Sequence, residues 1–161
     1  MLTASFKVNK LTVVSVVCSL VTAAVFVTVF LIFSAFQPQT AEIKGLGKYS
    51  LCVSDKEETE NFFAQFGLKV DFSKSREREI IIPSEFDELY NEYNSLQKSQ
   101  GLDLSKHKGE NALQRIYPIV MENNQECYAV LIVIDGKVAG GHINIGGIEE
   151  PLLNFAGESV K

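Results

Sequence analysis

Residues 127–145 read CYAVLIVIDGKVAGGHINI, and this stretch decides the fold predicted for residues 48–161. Over residues 127–134 the side chains of both alternating sets are apolar, which predicts a central strand covered on its two faces. Asp135-Gly136 is typical of a two-residue hairpin turn. Residues 137–145 are therefore predicted to return as an antiparallel strand beside the first.

Four further strands are predicted upstream of this hairpin. Residues 112–121 form the nearest one, with a turn at Asn123-Asn124, and Pro118 indicates that it is an edge strand or contains a bulge. The other three cover residues 48–53, 68–72 and 79–82. All are short segments with alternating or β-branched and aromatic side chains, which is the composition that strands favour.

Two amphipathic helices are predicted between these strands. The first begins at the capping pair Ser54 and Glu57, and the second at the capping pair Ser84 and Asp87. Their apolar stripes consist of Thr59, Phe62, Phe63 and Phe66 in the first, and of Phe86, Leu89, Tyr90, Tyr93 and Leu96 in the second. The sequence therefore predicts an α+β domain at residues 48–161, with a mostly antiparallel sheet and both helices on one face.

Residues 11–36 form an almost continuous apolar run, and no charged side chain lies between Lys10 and Glu42. As a helix this run would span about 39 Å at about 1.5 Å per residue, against a hydrocarbon core of roughly 30 Å. The apolar cores of cleavable secretory signals are shorter, usually about 7–15 residues. The sequence therefore predicts a retained transmembrane helix at residues 11–36, preceded by a cytoplasmic tail at 1–10 and followed by a juxtamembrane linker at 37–47.

The charges on the two sides of this run predict its orientation and its partners. Lys7 and Lys10 precede it, and positive residues remain in the cytoplasm, so the downstream domain would lie outside the cytoplasm at the cell membrane. From Glu42 onward the chain has 13 basic and 20 acidic residues, a formal charge of −7. A domain this acidic repels phosphate backbones, which argues against nucleic acid. The predicted partners are the bilayer, through Leu11 to Phe36, and another envelope or membrane protein.

Two blocks of the sequence carry a family resemblance. Residues 82–94 read IPSEFDELYNEYN and continue as LQK at 96–98 and QGLDLSK at 100–106, while residues 129–141 read AVLIVIDGKVAGG. These blocks resemble the bacterial family called domain of unknown function 4830, and the resemblance covers roughly residues 59–145. It implies an N-terminal membrane segment or secretion signal, one small α+β domain, an extracytoplasmic location and a low-GC Gram-positive source. It implies no catalytic residue.

The cysteines offer two alternatives. Cys52 and Cys127 lie on predicted strands of the outer domain and could form a disulfide, worth about 4 kcal/mol in the chain-entropy model for a loop of this length. Alternatively, both are buried free thiols that behave as small apolar side chains. Members of the similar family often carry Asp-Val-Cys-Ser after the paired glycines, where this chain has His142-Ile143-Asn144-Ile145. No role tied to that cysteine carries over.

The histidines suggest a groove but no metal or cofactor site. His142 and Asn144 project from the same face of the last predicted strand and could line a groove; the alternative is a hydrogen-bonded histidine on an exposed sheet face. A nucleophile pair of Cys127 and His142 could form across adjacent strands, but the chain offers no orienting group or oxyanion donor for it. Only scattered carboxylates accompany His107 and His142, whereas a metal needs three or four converging ligands.

One loop is a candidate binding surface. Ser105, Lys106, His107 and Lys108 make residues 101–109 the local cationic spot of an acidic domain. Loops carry binding functions more often than sheets do. We therefore predict that this loop contacts a partner.

The sequence as a whole predicts a membrane-anchored, extracytoplasmic binding or regulatory module of the cell envelope and no enzyme. A thiol-based or hydrolytic envelope enzyme is one alternative, centred on Cys127 and His142. An accessory subunit of a membrane complex is another, for which Ser19, Thr22 and the neighbouring alanines supply a strip of small residues inside the apolar run.

Overall fold

The computed structural model describes residues 10–35, 39–120, 127–146 and 151–159 of the chain, which divides into two compact units at residues 1–37 and 38–161. In the first unit, α1 (Lys10–Ala35) is one helix of 26 residues. The Thr22 hydroxyl donates to the Cys18 and Ser19 carbonyls, both at 2.9 Å, so α1 itself satisfies this polar group. Within the described residues, no helix is long and apolar enough to cross a membrane. The predicted helix is therefore present, whereas its crossing of a membrane stays a prediction.

The second unit is an α+β domain with antiparallel strands, as predicted. Its strands are β1 (Thr40–Ile43), β2 (Gly47–Ser50), β3 (Arg76–Ile81), β4 (Asn111–Ile119), β5 (Cys127–Ile134) and β6 (Lys137–Ile145). Its helices are α2 (Lys56–Ala64) and α3 (Glu88–Ser99), with short 3-10 helices at Phe72–Lys74 and Leu104–His107. β1 and β2 form a hairpin, and the other strands form one sheet in the order β3-β4-β5-β6.

The β5–β6 hairpin confirms the prediction from residues 127–145. Asp135 and Gly136 turn the chain with φ values of 49° and 72°, the left-handed conformation that such tight hairpin turns require. β5 pairs with β4 on one side and with β6 on the other, so it is an interior strand. Its residues are buried on both faces except at Tyr128 and Ile134, which are half-buried. Continuous apolar character therefore identified a strand covered on both faces.

The two helices of the domain pack on opposite faces of the sheet, so the prediction that both lie on one face is wrong. Leu131 belongs to a core that includes Phe62 and Phe63 of α2; we call this side the α2 face. The next residue, Ile132, belongs to a second core against which Tyr93 of α3 packs; we call this side the α3 face. Because side chains alternate along a strand, adjacent residues of β5 serve different helices.

The predicted strands need four corrections. Residues Thr40–Ile43 were assigned to a linker but form β1, because Gly45 and Gly47 provide the positive φ angles of a hairpin turn rather than ending a flexible segment. β2 ends at Ser50, and Val70 makes one isolated bridge with Ile119 where a strand was predicted at 68–72. β3 begins at Arg76, three residues earlier than predicted. The predicted turn at Asn123-Asn124 lies outside the described residues.

β4 contains Pro118 and yet is an interior strand that pairs one to one with β5 over residues 113–119, so neither predicted alternative, an edge strand or a bulge, is present there. The reason is the length of its neighbour. β3 pairs with β4 only as far as Arg76 opposite Ile116, and Pro118 lies beyond that point. The missing N–H of Pro118 therefore removes no hydrogen bond to β3, while its carbonyl accepts from the Asp71 N–H at 2.8 Å.

Both helix caps lie later in the chain than predicted. α3 is capped by Asp87 rather than by Ser84, with the Asp87 carboxylate accepting from the Tyr90 N–H at 2.8 Å, so the helix begins at Glu88 and Phe86 precedes it. α2 is capped by Asp55 rather than Ser54: the Asp55 carboxylate accepts from the Glu58 N–H, and the Glu58 carboxylate accepts from the Ser54 N–H, both at 2.8 Å. A cap of the predicted type is present, one residue later than the sequence suggested.

The outer edge of β6 is covered by segments from distant parts of the chain. The Val138 N–H donates to the Leu51 carbonyl at 2.9 Å, which adds the segment after β2 to the sheet. Further along, Ile143 and Leu153 exchange two backbone hydrogen bonds of 2.8 and 2.9 Å. Covering an edge strand in this way prevents it from pairing with another molecule.

Two buried glutamines from α3 and its C-cap cover the middle of the same edge. The Gly141 N–H donates to the Gln97 side chain at 2.8 Å, and the Gln100 side chain donates to the Gly141 carbonyl at 2.9 Å. Gln100 also accepts from the Phe155 N–H at 3.0 Å, and its own carbonyl accepts from the Tyr49 hydroxyl at 2.7 Å. This buried network ties α3, β6, β2 and the C-terminal segment together.

Candidate functional site

A groove of about 540 Å³ runs along α3, between this helix and the segment at residues 151–152. Six of its lining residues are apolar or aromatic: Leu89, Tyr90, Tyr93, Leu96, Pro151 and Leu152. Apolar walls with few polar groups are typical of ligand-binding clefts. We refer to this feature as the α3 groove.

The α3 groove exists because the apolar surface of α3 is wider than its contact with the sheet. Phe86, Tyr90 and Tyr93 pack against the buried cluster on the α3 face. Leu89 follows Phe86 by three residues but is 74% exposed and lines the groove. The prediction that Leu89 belongs to the core-facing stripe was therefore wrong. Its exposure indicates a residue that could contact a ligand, and exposure cannot be read from the sequence alone.

The rim of the groove is acidic. Asp87 and Glu92 belong to its lining, and Glu88 lies in the first turn of the same helix. The Asp87 carboxylate also caps α3, so one of its oxygens already accepts a backbone hydrogen bond. Apolar walls with an acidic rim complement a ligand that is apolar and positively charged.

A neutral histidine supports the groove from beneath. The Tyr93 hydroxyl lies 3.0 Å from Nδ1 of His142, and the two rings meet edge to face with centroids 5.5 Å apart. Burial lowers the pKa of His142 to about 4 and raises the pKa of Tyr93 above its ordinary value. The imidazole is therefore neutral near pH 7 and the tyrosine keeps its proton, and one hydrogen bond joins the hydroxyl to Nδ1.

His142 and Asn144, which were predicted to line a groove, lie on the α3 face of the sheet. They pair with Val130 and Tyr128 of β5, respectively. Only His142 is connected to the α3 groove, and the connection runs through Tyr93. Neither His142 nor Asn144 belongs to its lining, which comes instead from α3 and from residues 151–152.

The predicted binding loop is largely engaged in contacts of its own. The N–H and hydroxyl of Ser105 donate to the Asp103 carboxylate at 3.0 and 2.6 Å, and these bonds help to lower the pKa of Asp103 to about 2. Nδ1 of His107 lies 2.9 Å from the Glu110 carboxylate, and the Lys108 ammonium lies 4.6 Å above the Phe86 ring. The loop is thus held by contacts within itself and with neighbouring residues of the domain, and its role in binding stays a prediction.

A smaller cavity of about 230 Å³ lies beside this loop. His107 and Glu110 line it together with Asp135 and Lys137 of the β5–β6 turn region. Across the described ranges, no three His, Cys, Asp or Glu side chains are grouped closely enough to hold a metal ion.

The predicted cysteine sites are not assembled. Cys52 and Cys127 are both free, and the reason is distance along the sheet. Cys52 bridges to Lys137 at one end of β6, whereas Cys127 pairs with Ile145 at the other end, about 26 Å away at about 3.3 Å per residue. A disulfide needs Cα atoms within about 7 Å, so of the two alternatives the disulfide is wrong and both thiols are free, Cys127 buried and Cys52 half-buried.

The conceivable nucleophile pair of Cys127 and His142 does not form either. Cys127 is buried in the core of the α2 face, where burial raises the pKa of its thiol. His142 lies on the α3 face and contacts Tyr93. The strand backbone therefore separates the two side chains.

Comparison with known families identifies the domain. The family model described as Domain of unknown function (DUF4830) matches residues 62–143, half of the 161-residue chain. The chain belongs to the DUF4830 family. The DUF4830 match begins inside α2 and includes α3, β3, β4, β5 and nearly all of β6. No curated protein and no solved structure matches the chain.

The DUF4830 match includes the helical wall of the α3 groove but not its second wall. Leu89, Tyr93 and Leu96 lie inside residues 62–143, whereas Pro151 and Leu152 follow them. In this second wall Leu152 lines the groove, whereas the next residue, Leu153, pairs with Ile143 of β6 and packs against the core that contains Phe155.

Proposed function

We propose that this chain is a membrane-anchored, extracytoplasmic binding module, and that its α3 groove binds a peptide segment carrying apolar and positively charged side chains. The proposal has two parts, an anchor and a binding site. The observation that carries the binding site is the exposure of Leu89, at 74%, on an apolar groove of about 540 Å³.

The anchor is supported by the sequence of the first unit. Residues 11–36 carry no charge, and α1 extends over 26 residues. Two of its threonines use their hydroxyls within the helix: Thr28 donates to the Ala24 carbonyl at 2.8 Å, and Thr22, six residues earlier, donates to the Cys18 and Ser19 carbonyls at 2.9 Å. Lys7 and Lys10 on the near side favour an N-terminus in the cytoplasm and a domain outside it.

The binding site is supported by the unfavourable free energy of exposing the apolar surface of the α3 groove to water. A leucine side chain contributes about 1.5–3 kcal/mol when it becomes fully buried, and an exposed apolar patch framed by polar residues is typical of an interaction site. Asp87 and Glu92 on the rim, and the formal charge of −7 from Glu42 onward, favour a basic partner over an acidic one.

A binding experiment tests the site in the full chain held in neutral phosphatidylcholine nanodiscs. The probe is a short peptide of leucine and lysine, with a twin in which glutamate replaces lysine, and empty nanodiscs measure binding to lipid. Leu89→Asp should weaken binding of the lysine peptide by about 10–100-fold, the equivalent of losing one buried leucine. The glutamate twin should bind no better to the chain than to empty nanodiscs.

Ile81→Asp is the matched control, because Ile81 is also an exposed apolar residue, at 68%, but lies on β3 away from the groove lining. Equal effects of Leu89→Asp and Ile81→Asp would refute the α3 groove as the site. The anchor is tested separately: the chain should stay in the membrane fraction after alkaline carbonate extraction, and added protease should digest the domain on intact protoplasts.

A further inference from the structure

The tip of the β1–β2 hairpin presents an apolar side chain between two lysines. It reads Lys44-Gly45-Leu46-Gly47-Lys48, and Leu46 is 49% exposed. The turn is closed by the Leu46 N–H, which donates to the Ile43 carbonyl at 3.1 Å. Gly45 and Gly47 have φ angles of 93° and 94°, and no atom lies within 4 Å of where a Cβ would be at either position. The tip therefore projects from the domain into open space.

The charge of this tip is opposite to that of its domain. Lys44 and Lys48 are both exposed, and neither forms an ion pair within the described part of the chain. Glu42 stands opposite Lys48 in the hairpin register but makes no ion pair with it. Two unpaired cations thus flank an exposed leucine in a domain with a formal charge of −7.

Other exposed apolar residues of the described domain lack this setting. Ile81 follows Ile80 on β3, Leu89 lies between Glu88 and Tyr90, and Val120 follows Ile119. An apolar residue between lysines is the combination that binds the interface of an anionic bilayer, because the leucine enters the headgroup region while the ammonium groups meet lipid phosphates.

The tip is also tethered to the proposed anchor. Leu46 follows Ala35, the last residue of α1, by only eleven positions in the sequence. An anchored α1 would keep the tip at a high local concentration relative to the bilayer surface, so a weak interaction is sufficient to hold it there.

We infer that residues 44–48 dock on anionic lipid headgroups beside the anchor, with Leu46 inserted at the interface and Lys44 and Lys48 on the phosphates. This inference rests on the membrane anchor of the proposed function. Docking gives the domain a preferred orientation on the membrane. Each lysine favours the docked state about fivefold on an anionic surface, so the pair favours it about 25-fold.

Tryptophan fluorescence can test the docking, because the chain contains no tryptophan. The full chain carrying Leu46→Trp is reconstituted into phosphatidylglycerol vesicles and into phosphatidylcholine vesicles. We expect blue-shifted emission, and quenching by brominated lipid, in phosphatidylglycerol. Adding Lys44→Gln and Lys48→Gln should remove most of both effects. Ile81→Trp is the control and should report the same aqueous environment in both lipids.

A second measurement uses the native tip, because a tryptophan at position 46 could itself favour the interface. Amide hydrogen exchange at residues 44–48 of the unmodified chain should be slower in phosphatidylglycerol than in phosphatidylcholine vesicles. Aqueous emission from Trp at position 46, or equal exchange in the two lipids, would overturn the inference when the chain floats with the vesicles. A chain that does not float with vesicles refutes the anchor and with it the inference.

Discussion

The two faces of the sheet are filled in different ways. On the α2 face, Phe62 meets Phe63, Tyr49 and Phe155 edge to face, with ring centroids 5.2–6.1 Å apart. On the α3 face the buried cluster is smaller, and the aromatic rings of α3 are only partly buried. The aromatic side chains of the α2 face are thus buried and contribute to stability, whereas part of the aromatic surface of the α3 face remains exposed.

The largest effect that this comparison predicts is at Phe62, which is 1% exposed. Phe62→Ala should lower the free energy of unfolding by about 3–5 kcal/mol, because it leaves a cavity among aromatic rings. Tyr90→Ala is the matched truncation on the α3 face and should cost less than half as much, since Tyr90 is only partly buried. Urea denaturation of both variants gives the measurement. Equal losses would mean that the two faces contribute alike to stability.

The sequence predicted the sheet better than it predicted the placement of the helices. Alternation and turn chemistry are local, so residues 127–134 and Asp135-Gly136 were sufficient to predict β5, β6 and the turn between them. The bulge between Ile132 and Val133, which shifts the register of the two strands, was not predicted. Which face a helix covers depends on how the chain passes from α2 through β3 to α3, and no local pattern in those segments records it. Two apolar stripes therefore predicted two helices correctly and their common face incorrectly.

The candidate site, too, could be predicted only as far as local sequence patterns define it. The apolar residues of α3 were identified from their helical spacing, but spacing does not separate Tyr93, which packs on the sheet, from Leu89, which faces solvent. The second wall of the groove depends on Leu153 pairing with Ile143, a contact between distant positions that only the fold reveals. For Cys52 and Cys127 the residue type left a disulfide and free thiols as alternatives, and the positions of the two residues at opposite ends of β6 exclude the disulfide.

The next largest prediction concerns pH and the α3 face. The folded-state pKa of His142 is about 4, below the ordinary value of 6.5 that applies to the unfolded chain, so protons bind the unfolded chain more tightly. The contribution of His142 to stability is therefore intact above pH 6.5 and is lost as the pH falls toward 4. We expect a loss of about 2–3 kcal/mol over this range.

His142→Gln isolates this contribution from that of the carboxylates, which titrate in the same range. Glutamine cannot titrate but can still accept a hydrogen bond from Tyr93. The difference in unfolding free energy between the native chain and the variant should shift in favour of the variant between pH 6.5 and pH 4. Parallel stability curves would show that His142 is not held neutral by the α3 face.

A smaller effect on stability is predicted at the outer edge of β6, where Gln97 of α3 binds the backbone of Gly141. Gln97 is fully buried and accepts from the Gly141 N–H, so Gln97→Ala should cost about 1–3 kcal/mol by leaving that N–H without a partner. Gln65→Ala is the control: Gln65 also accepts from a backbone N–H, that of Ser50 at 2.7 Å, but it is exposed. Water can replace it there, and the cost should be about 0.5 kcal/mol. Thermal denaturation compares the two, and a Gln65→Ala loss as large as that of Gln97→Ala would mean that burial does not set the cost.

The smallest effect on stability should occur where the largest effect on binding is expected. Leu89→Ala removes an exposed side chain and introduces a strong helix former, so the unfolding free energy should change by less than about 0.5 kcal/mol. Leu96→Ala, seven residues further along α3 in the same groove, should cost about 2–5 kcal/mol because Leu96 is only 4% exposed. If Leu89 existed to hold the fold, the two variants would lose similar stability. A neutral Leu89→Ala that also fails to bind the lysine peptide would assign this leucine to the ligand.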